Sequence, residues 1–462
     1  MINNDIICAI STPQGNGAIA VIRLSGDESI ALCDKVFKTI TNKRLIDQPA
    51  NTIHYGTLHD SEKIIDEVVI SIFKNPHSYT GEDVVEISCH GSVYIQQQIL
   101  QLLIRNGARL AKPGEFTLRA FINGKMDLSQ AEAVADVIAS SSASSHKVAI
   151  QQMRGGFSSE IVNLRDRLLN FISLLELELD FSEEDVEFAD RKQLDELLNN
   201  IHNLIQKLLK SFDLGNVIKN GVPVAIVGHT NVGKSTLLNK ILNEEKAIVS
   251  EIAGTTRDVI EDVINIEGIA FRFIDTAGIR DTVDTIETIG IERTYDRISK
   301  ASIVLLIVDA TEDTTNIEKA IKTVEDKLGD SDKKLIVVVN KIDQATIDYN
   351  FNKILRDKDV VVKISAKTGE NINQLIEELL TVVNLSALNH NEVIVTNARH
   401  YEALEKASES LQRAIDGLNS GVTGDFLAQD IREALHYLGE ITGEITTDEV
   451  LGNIFKNFCI GK

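Results

Sequence analysis

The chain has 462 residues, with 47 lysines and arginines against 69 aspartates and glutamates, and a formal net charge of -22. This length predicts two or three domains with sizeable cores. The acidic balance excludes a protein that binds nucleic acid through its overall charge, so any contact with RNA needs a local basic patch or a basic partner.

The sequence carries no feature typical of a membrane or secreted protein. Its apolar stretches are all shorter than the roughly 18 residues that cross a bilayer. The N-terminal residues Met1–Asp5 lack the basic start of a signal peptide. The cysteines show no paired spacing, which indicates reduced thiols. We therefore expect a cytoplasmic protein without membrane insertion.

Residues 1–118 alternate between two kinds of pattern. Short runs rich in Val and Ile predict strands, and longer runs with a helical period predict helices. The strand runs are 18–24, 67–73 and 83–88, and the helical runs are 28–37 and 93–106. This mixture predicts an α+β domain.

A helical period takes over at Asp127, where the first residues of the new pattern also fit a capped helix start. Asp127 or Ser129 would be the cap, with Glu132 in the first turn. Leucine-rich and amphipathic runs continue the pattern on both sides of a central region. These runs are 161–181, 194–212, 399–418, 425–439 and 448–455.

The order of these patterns predicts a domain inserted into a helical bundle. The bundle would be built from residues 119–216 and 385–462, and the inserted domain would span 217–384. Because both ends of the inserted domain join the bundle, a conformational change in it would act on the rest of the molecule.

The inserted domain opens with a phosphate-binding signature. Gly228–Ser235 reads G-x-x-x-x-G-K-S and lies between an apolar strand run and a helical run that starts at Thr236. Its backbone N–H groups and the helix N-terminus would converge on a phosphate. Lys234 would reach the β- and γ-phosphates, and the Ser235 hydroxyl would coordinate Mg²⁺. The motif predicts a site for a nucleoside triphosphate.

Later motifs select guanine as the base. Asn340-Lys341-Ile342-Asp343 follows an apolar strand run. The Asp343 carboxylate can accept two parallel N–H bonds from guanine, a pair that adenine cannot offer. Ser365-Ala366-Lys367 follows another strand run, where GTPases back the guanine with N–H groups.

Two further motifs lie between the phosphate loop and the base motifs. Asp275-Thr276-Ala277-Gly278 ends a strand run and supplies an aspartate behind Mg²⁺, while the Gly278 N–H can sense the γ-phosphate. Gly254–Asp258 offers a threonine for Mg²⁺. Four motifs in this order, each at a strand end, predict a Ras-like α/β P-loop GTPase domain at 217–384.

The catalytic groups of this domain depart from the Ras pattern. Ras-type GTPases orient water with a glutamine directly after the Asp-x-x-Gly motif, but this chain has Ile279 there. Four acidic residues in the following stretch could replace it, and spacing does not choose among them. They are Asp281, Asp284, Glu287 and Glu292. The positive charge of an arginine finger could come from Arg257, from Arg280, or from a monovalent cation near Asn231 and the carbonyls of residues 250–255.

The C-terminus ends in Cys459-Ile460-Gly461-Lys462. This sequence does not fit the prenylation pattern, which requires two aliphatic residues after the cysteine. Phe455, Phe458 and Ile460 are apolar enough to dock the tail, and docking would give the thiol a defined position.

These motifs together resemble the MnmE/TrmE family of tRNA-modification GTPases over essentially the full length of the chain. The central GTPase motifs alone would not separate this family from other GTPases, but the terminal motifs do. The segments that carry the resemblance are 79–83, 113–117, 125–133, 254–258 and 459–462.

The resemblance implies a tRNA-modifying function. With a flavin-dependent partner of the MnmG/GidA type, which supplies FAD, such homodimeric proteins form a heterotetramer. The assembly adds an aminomethyl or carboxymethylaminomethyl group to carbon 5 of the wobble uridine in certain tRNAs, using the one-carbon unit of a tetrahydrofolate derivative. The N-terminal domain would bind the folate, and family contacts match Arg23, Glu82, Lys125 and Lys462. Cys459 matches a cysteine that is a candidate for catalysis.

The resemblance also implies how the GTPase works. K⁺ would take the place of the arginine finger, held by the side chains of Asn231 and Thr255 and the carbonyls of Ser250 and Ile252. Glu287 would activate water. Ser235 and Thr256 would bind Mg²⁺. The implied GTP-binding residues are Asn231, Val232, Gly233, Lys234, Ser235, Thr236, Ser250, Glu251, Ile252, Ala253, Gly254, Thr255, Thr256, Asp275, Thr276, Ala277, Gly278, Asn340, Lys341, Asp343, Ser365, Ala366 and Lys367.

Two other classes of function share some of these features. A regulatory GTPase of ribosome assembly would have the same central motifs, but with a basic RNA-binding domain appended to them. A folate-dependent aminomethyltransferase that acquired a GTPase would turn over folate without hydrolysing GTP. The acidic chain and the folate-like ends argue against the first class.

Overall fold

The structure is a computed structural model in which two compact units are described separately. Unit 1 contains Met1–Ile138, Gln151–Leu198 and Glu409–Lys462, and unit 2 contains Ala139–Ile150 and Asn199–Ser408. The described residues are 5–40, 42–180, 191–242, 247–249, 262–274, 298–329, 331, 333–345, 351, 354–382, 393–456 and 458–461.

Fourteen strands and thirteen helices are named within these residues. The strands are β1 Ile7–Ile10, β2 Ile19–Ser25, β3 Phe37–Thr39, β4 Thr52–Asp60, β5 Lys63–Phe73, β6 Val84–His90, β7 Arg109–Leu110, β8 Val222–Val227, β9 Ala247–Val249, β10 Asp262–Ile266, β11 Ile269–Ile274, β12 Ile303–Asp309, β13 Lys334–Asn340 and β14 Val360–Lys363. The helices are α1 Ser29–Val36, α2 Val93–Arg105, α3 Glu115–Ile122, α4 Leu128–Ala139, α5 Ala143–Met153, α6 Gly156–Asp180, α7 Arg191–Asn220, α8 Lys234–Leu242, α9 Thr314–Leu328, α10 Ile372–Thr381, α11 Ala398–Asn419, α12 Gly424–Thr442 and α13 Asp448–Lys456.

Unit 1 contains a seven-stranded sheet in the order β3-β4-β5-β6-β2-β1-β7. Its neighbouring strands are antiparallel except for the short β1–β7 pair. Val68, Ile70 and Ile72 of β5 alternate with less buried residues, because successive side chains of a strand point to opposite faces. The buried face packs with apolar residues of α1 and α2. This arrangement confirms the predicted α+β class.

The helices of unit 1 include α3, α4 and a long pair, α6 and α12, that pack along each other. Asp127 is the residue that caps α4. Its carboxylate accepts the Gln130 N–H at 2.9 Å, and the Gln130 side chain accepts the Asp127 N–H at 3.0 Å, which together form a capping box.

Unit 2 contains the second seven-stranded sheet, in the order β14-β13-β12-β8-β11-β10-β9. The first five strands of this order are parallel, and β10 and β9 extend them antiparallel. Every residue of β12 is buried, as expected for a strand covered on both faces. This sheet is the predicted α/β architecture of a P-loop domain.

Two of the predicted domain boundaries fall inside helices of the structure. The predicted division after residue 118 falls inside α3, and the division after residue 216 falls inside α7. The division after residue 384 lies outside the described residues. The boundaries of the two units likewise fall inside helices, at positions different from those predicted.

The C-terminal segment of unit 1 packs against the start of the helical region. Phe455 of α13 and Phe458 are buried in one apolar cluster with Leu128 and Ala131 of α4. Gly114 makes this close approach possible, because a Cβ atom there would lie 2.9 Å from the Phe455 carbonyl oxygen. Gly114 also has a φ of +66°, which favours glycine.

Among the described residues, no helix combines the length and the apolar character that spanning a bilayer requires.

Replacing Phe455 with alanine should loosen this packing. Removing a buried phenylalanine leaves a cavity that costs about 3–5 kcal/mol. Hydrogen exchange measured by mass spectrometry should therefore show faster exchange in α13 and α4. Phe426→Ala is the matched control, because Phe426 is 61% exposed and its loss should change stability by no more than about 0.5 kcal/mol. Unchanged exchange in Phe455→Ala would contradict the described packing.

Candidate functional site

The phosphate loop joins β8 to α8 at the end of the parallel strands. Gly228 and Gly233 have φ values of +149° and +98°. A Cβ atom at Gly228 would lie 2.3 Å from the Ile307 carbonyl oxygen, and one at Gly233 would lie 2.3 Å from Asn340 Nδ2. Only glycine fits at these positions, so the loop can wrap tightly around an anion at the N-terminus of α8.

The lysine of this loop lies over the loop itself. Lys234 Nζ donates to the carbonyl oxygens of Gly228 and His229 at 2.8 and 2.7 Å. Ser235 and Thr236 follow it in the first turn of α8, and Val232 is buried beneath the loop. Lys234 and Ser235, which we predict to bind the phosphates and Mg²⁺, thus begin α8.

Asn340, at the end of β13, holds three loops together. Its Nδ2 donates to the Val232 carbonyl oxygen at 2.8 Å, and its Oδ1 accepts the Ala366 N–H at 2.9 Å. The side chain is 2% exposed. Because both bonds are buried, this one amide fixes the phosphate loop relative to the two base-recognition loops.

The carboxylate predicted to read the base is also oriented. Ser365, which is fully buried, donates from Oγ to Asp343 Oδ1 at 2.7 Å. Ser365 Oγ in turn accepts the Thr368 N–H at 3.2 Å. Asp343 can therefore present its second oxygen and remaining lone pairs to guanine, while Lys367 is exposed beside it.

Asp309 is a residue of this site that the sequence interpretation missed. It ends β12, and its Oδ2 receives a hydrogen bond from Lys341 Nζ at 2.5 Å. Burial raises the pKa of Asp309, but hydrogen bonds from Lys341 and Thr311 outweigh burial and lower it. The signal that could have revealed it is a lone aspartate closing an otherwise apolar strand, as Asn340 closes β13.

Several predicted residues of the GTPase lie outside the described residues. They are Ser250, Glu251, Ile252, Ala253, Gly254, Thr255, Thr256, Asp275, Thr276, Ala277, Gly278 and Glu287. Lys462 is outside them as well. The placement of the K⁺ ligands other than Asn231, and of the water-activating acid, therefore stays a prediction.

A second group of predicted residues lies in unit 1, around β2. Arg23 makes a two-pronged ion pair with Glu86, at 2.9 and 2.7 Å from Oε1. Its guanidinium carbon lies 5.4 Å from the centre of the Tyr79 ring and 5.7 Å from that of Phe116. The guanidinium is thus contacted by an acid and lies near two aromatic rings.

Glu82 lies on the same side of β2 as Arg23. Ser25, two residues after Arg23, donates to Glu82 Oε2 at 2.7 Å. Lys125 packs its aliphatic chain against Gly81 and donates from Nζ to the Pro76 carbonyl oxygen at 2.9 Å. Glu82 is thus bonded to the strand that carries Arg23, and Lys125 lies beside Gly81, the residue that precedes Glu82.

The C-terminal tail reaches the same place. The Gly461 carbonyl oxygen accepts hydrogen bonds from Ser11 Oγ at 3.2 Å and from Arg23 Nη1 at 3.4 Å. A Cβ atom on Gly461 would lie 2.3 Å from the Ile10 carbonyl oxygen, so glycine is required for this approach. The residue that precedes Lys462 is thus in direct contact with Arg23.

The four cysteines differ in accessibility. All are free thiols, and Cys459 is exposed whereas Cys8, Cys33 and Cys89 are buried. Burial raises the pKa of Cys8 and of Cys89 to about 11 in each case. Because the thiolate is the nucleophile, burial disfavours reaction at Cys8 and Cys89, and Cys459 is the accessible thiol.

The mainly parallel sheet and the three loops at its edge define a protein of the P-loop GTPase class. Two families match the sequence. GTP-binding protein TrmE N-terminus matches residues 6–125, and MnmE helical domain matches residues 128–459.

Relatives of known name cover the whole chain. The chain is 56% identical over 466 residues to the tRNA modification GTPase MnmE of Flavobacterium johnsoniae, and 54% identical over 467 residues to that of Bacteroides thetaiotaomicron. Each match covers 100% of both chains. The chain therefore belongs to the MnmE family of tRNA modification GTPases.

A solved structure with sequence similarity is the G domain of the T. maritima FeoB iron transporter. It is 29% identical and covers 35% of this chain and 97% of its own, with a TM-score of 0.26.

Asp309→Asn should destabilise unit 2 by about 1–3 kcal/mol at neutral pH, since the amide leaves the Lys341 ammonium without its counter-charge. The pKa of Asp309 is lowered in the folded state from its ordinary 3.8, so its stabilisation is fully present above that value. That stabilisation is lost as the pH falls through the folded pKa.

Urea unfolding of the two proteins across pH checks this prediction. The difference in unfolding free energy should be constant between about pH 5 and 7 and should narrow below about pH 4. The exposed Asp357 provides the control Asp357→Asn, which should unfold like the unchanged protein. A difference that persists in acid would show that charge is not its origin.

Proposed function

We propose that this chain is a K⁺-dependent GTP hydrolase that acts in tRNA wobble-uridine modification. With a flavin-dependent partner of the MnmG/GidA type, which supplies FAD, it adds an aminomethyl or carboxymethylaminomethyl group to carbon 5 of the uridine. A tetrahydrofolate derivative provides the carbon. The active form is a homodimer within a heterotetramer.

The observation that carries this proposal is the meeting of the two chain ends in unit 1. Arg23 comes from β2 and Gly461 from the C-terminal tail, yet they are joined by a hydrogen bond. This contact supports a folate site closed by Lys462, because the tail has a defined position beside Arg23. A guanidinium and two ammonium groups suit the anionic tail of a folate.

The K⁺ part of the proposal is supported by Asn231. This residue is exposed within the phosphate loop and has a left-handed φ of +62°. An amide oxygen there suits a hard monovalent cation beside the phosphates, and such a cation supplies the positive charge that an arginine finger supplies elsewhere. Thr255, Ser250 and Ile252 complete the proposed ligand set.

The remaining assignments follow the same logic. Ser235 and Thr256 bind Mg²⁺, with Asp275 behind them, and Glu287 activates the attacking water. Cys459 is a candidate nucleophile because it is the exposed thiol at the docked tail. The net charge of -22 makes a basic partner surface the simplest route to tRNA.

If K⁺ takes the role of the arginine finger, replacing K⁺ with Na⁺ should lower the GTP hydrolysis rate by at least about tenfold. Measurements of phosphate release in matched salts check this. Asn231→Ala should remove most of the difference between the salts. Glu287→Ala should instead abolish hydrolysis in both salts while keeping GTP affinity. Equal rates of the unchanged protein in K⁺ and Na⁺ would refute the cation assignment.

The function as a whole is tested by nucleoside analysis of tRNA. Cells that lack this gene should lose the carbon-5 modification of their wobble uridines, as measured by mass spectrometry of digested tRNA. The unchanged gene should restore it, and Lys234→Ala should not, because it removes the phosphate-binding ammonium. Normal wobble uridines in the deletion strain would refute the assignment.

A further inference from the structure

A buried cluster of charged side chains lies directly behind Glu82. Arg119 of α3 is 1% exposed and is the largest fully buried side chain among those described. Its Nη2 donates to Asp5 Oδ1 at 2.7 Å, and its Nη1 donates to the Asp5 carbonyl oxygen at 2.9 Å. Glu115, one turn earlier, lies 3.4 Å away. A guanidinium this deep is tolerated only where acids and carbonyls surround it.

The cluster contains more acids than arginines. Asp5, Glu82 and Glu115 face Arg109 and Arg119, so three acids share two cations. Hydrogen bonding to Arg109 is the main cause of the lowered pKa of Asp5. Burial raises the pKa of Glu115. Hydrogen bonds from Arg109 and from the Lys112 N–H outweigh burial, so the pKa is lowered overall. Asp5 and Glu115 are therefore anionic, and together they anchor the arginines.

The same guanidinium grips Glu82. Arg119 Nη1 lies 3.2 Å from Glu82 Oε1 and 3.0 Å from Oε2. Ser25 adds a second donor to Oε2 at 2.7 Å, and Ser25 is itself fully buried against Thr80. The Glu82 carboxylate is thus held by two buried groups, the Arg119 guanidinium and the Ser25 hydroxyl.

A count of lone pairs shows what this grip leaves open. A carboxylate oxygen accepts two hydrogen bonds, so Oε2 is saturated by Arg119 and Ser25. Oε1 has one donor among the described residues, which leaves one acceptor position on it. The Glu82 side chain is 16% exposed, so a ligand can reach it.

We propose that Arg119 is a positioning residue of the folate site, whose guanidinium holds Glu82 with one acceptor position on Oε1 open to an N–H group of a reduced folate. This inference rests on the proposed function, since Glu82 is a folate contact only if unit 1 binds folate. Arg119 touches Glu82 and not the ligand, and Asp5 and Glu115 hold it in place.

The test is a double-mutant cycle read by calorimetric titration of the full chain with 5-formyltetrahydrofolate. Arg119→Gln should raise the Kd by about tenfold, the effect of losing one charge-assisted hydrogen bond. Arg119→Lys should recover part of the affinity, because an ammonium keeps the charge but lacks the second nitrogen that anchors the guanidinium on Asp5 and Glu115. Arg105→Gln, an exposed arginine paired with Asp60, is the matched control and should bind like the unchanged protein.

The cycle with Glu82→Gln separates positioning from a general loss of structure. If Arg119 acts through Glu82, adding Arg119→Gln to Glu82→Gln should cause no further loss of affinity. If Arg119→Gln weakens binding by the same factor with and without Glu82, the proposal is wrong. Should Arg119→Gln not fold, Ser25→Ala removes the other donor to Glu82 at little change in volume, and the same cycle applies to it.

Failure of the proposed function and failure of the positioning role give different binding results. If the unchanged protein does not bind the reduced folate, the proposed function and this inference both fail. If it binds and the Arg119 and Ser25 variants bind equally well, the folate site stands and the positioning role is refuted. Circular dichroism and hydrogen exchange in unit 1, which contains all of these positions, serve as the check on folding.

Discussion

The site in unit 1 depends on the packing of the C-terminal tail against the N-terminal part of the chain. Phe455 and Phe458 bury their rings against α4, and Gly114 N–H donates to the Cys459 carbonyl oxygen at 3.4 Å. The tail then continues to Gly461, which contacts Arg23. Without the apolar anchor, the hydrogen bonds of the last residues would be exposed to water and contribute little. The aromatic cluster therefore fixes the positions of the exposed Cys459 and of Gly461.

Charge in the interior of unit 1 has a related role. Arg119 is buried at a cost that a hydrophobic residue of similar volume would not incur. The structure offsets this cost with Asp5, Glu82 and Glu115, which are supplied by three separate segments of the chain. A network of this kind fixes geometry more than it adds stability, and Glu82 is the member that solvent reaches. That is the physical basis for regarding it as part of a binding site.

In unit 2, the buried side-chain amide of Asn340 connects the loops of the candidate site. Asn340 links the phosphate loop to the loop of Ala366 through two short hydrogen bonds, and Ser365 and Asp309 orient the flanking Asp343 and Lys341. The groups predicted to bind guanine and those predicted to bind phosphate are thus parts of one rigid frame. The family membership of the chain assigns this frame to tRNA modification.

Much of this protein could be predicted from its sequence. The period of β8 and α8, the glycines at 228 and 233, and the motifs after β13 and β14 locate the nucleotide site, because parallel strands bring their carboxyl ends to one edge. The α+β and α/β classes were also predicted correctly, because the period of the hydrophobic residues is a local property of the sequence. Strands such as β4 were missed, because the alternation of apolar residues changes phase within it, with Ile53 and Tyr55 on one face and Leu58 on the other.

What the tertiary structure decided was which distant residues meet. Sequence alone determined the chemistry of the GTPase loops and the resemblance at both chain ends. It did not determine that Gly461 reaches Arg23, that Arg119 grips Glu82, or that Asp309 pairs with Lys341. Those contacts join segments far apart in the chain, and they form only when packing removes the groups from water and makes each charge or carbonyl need a partner.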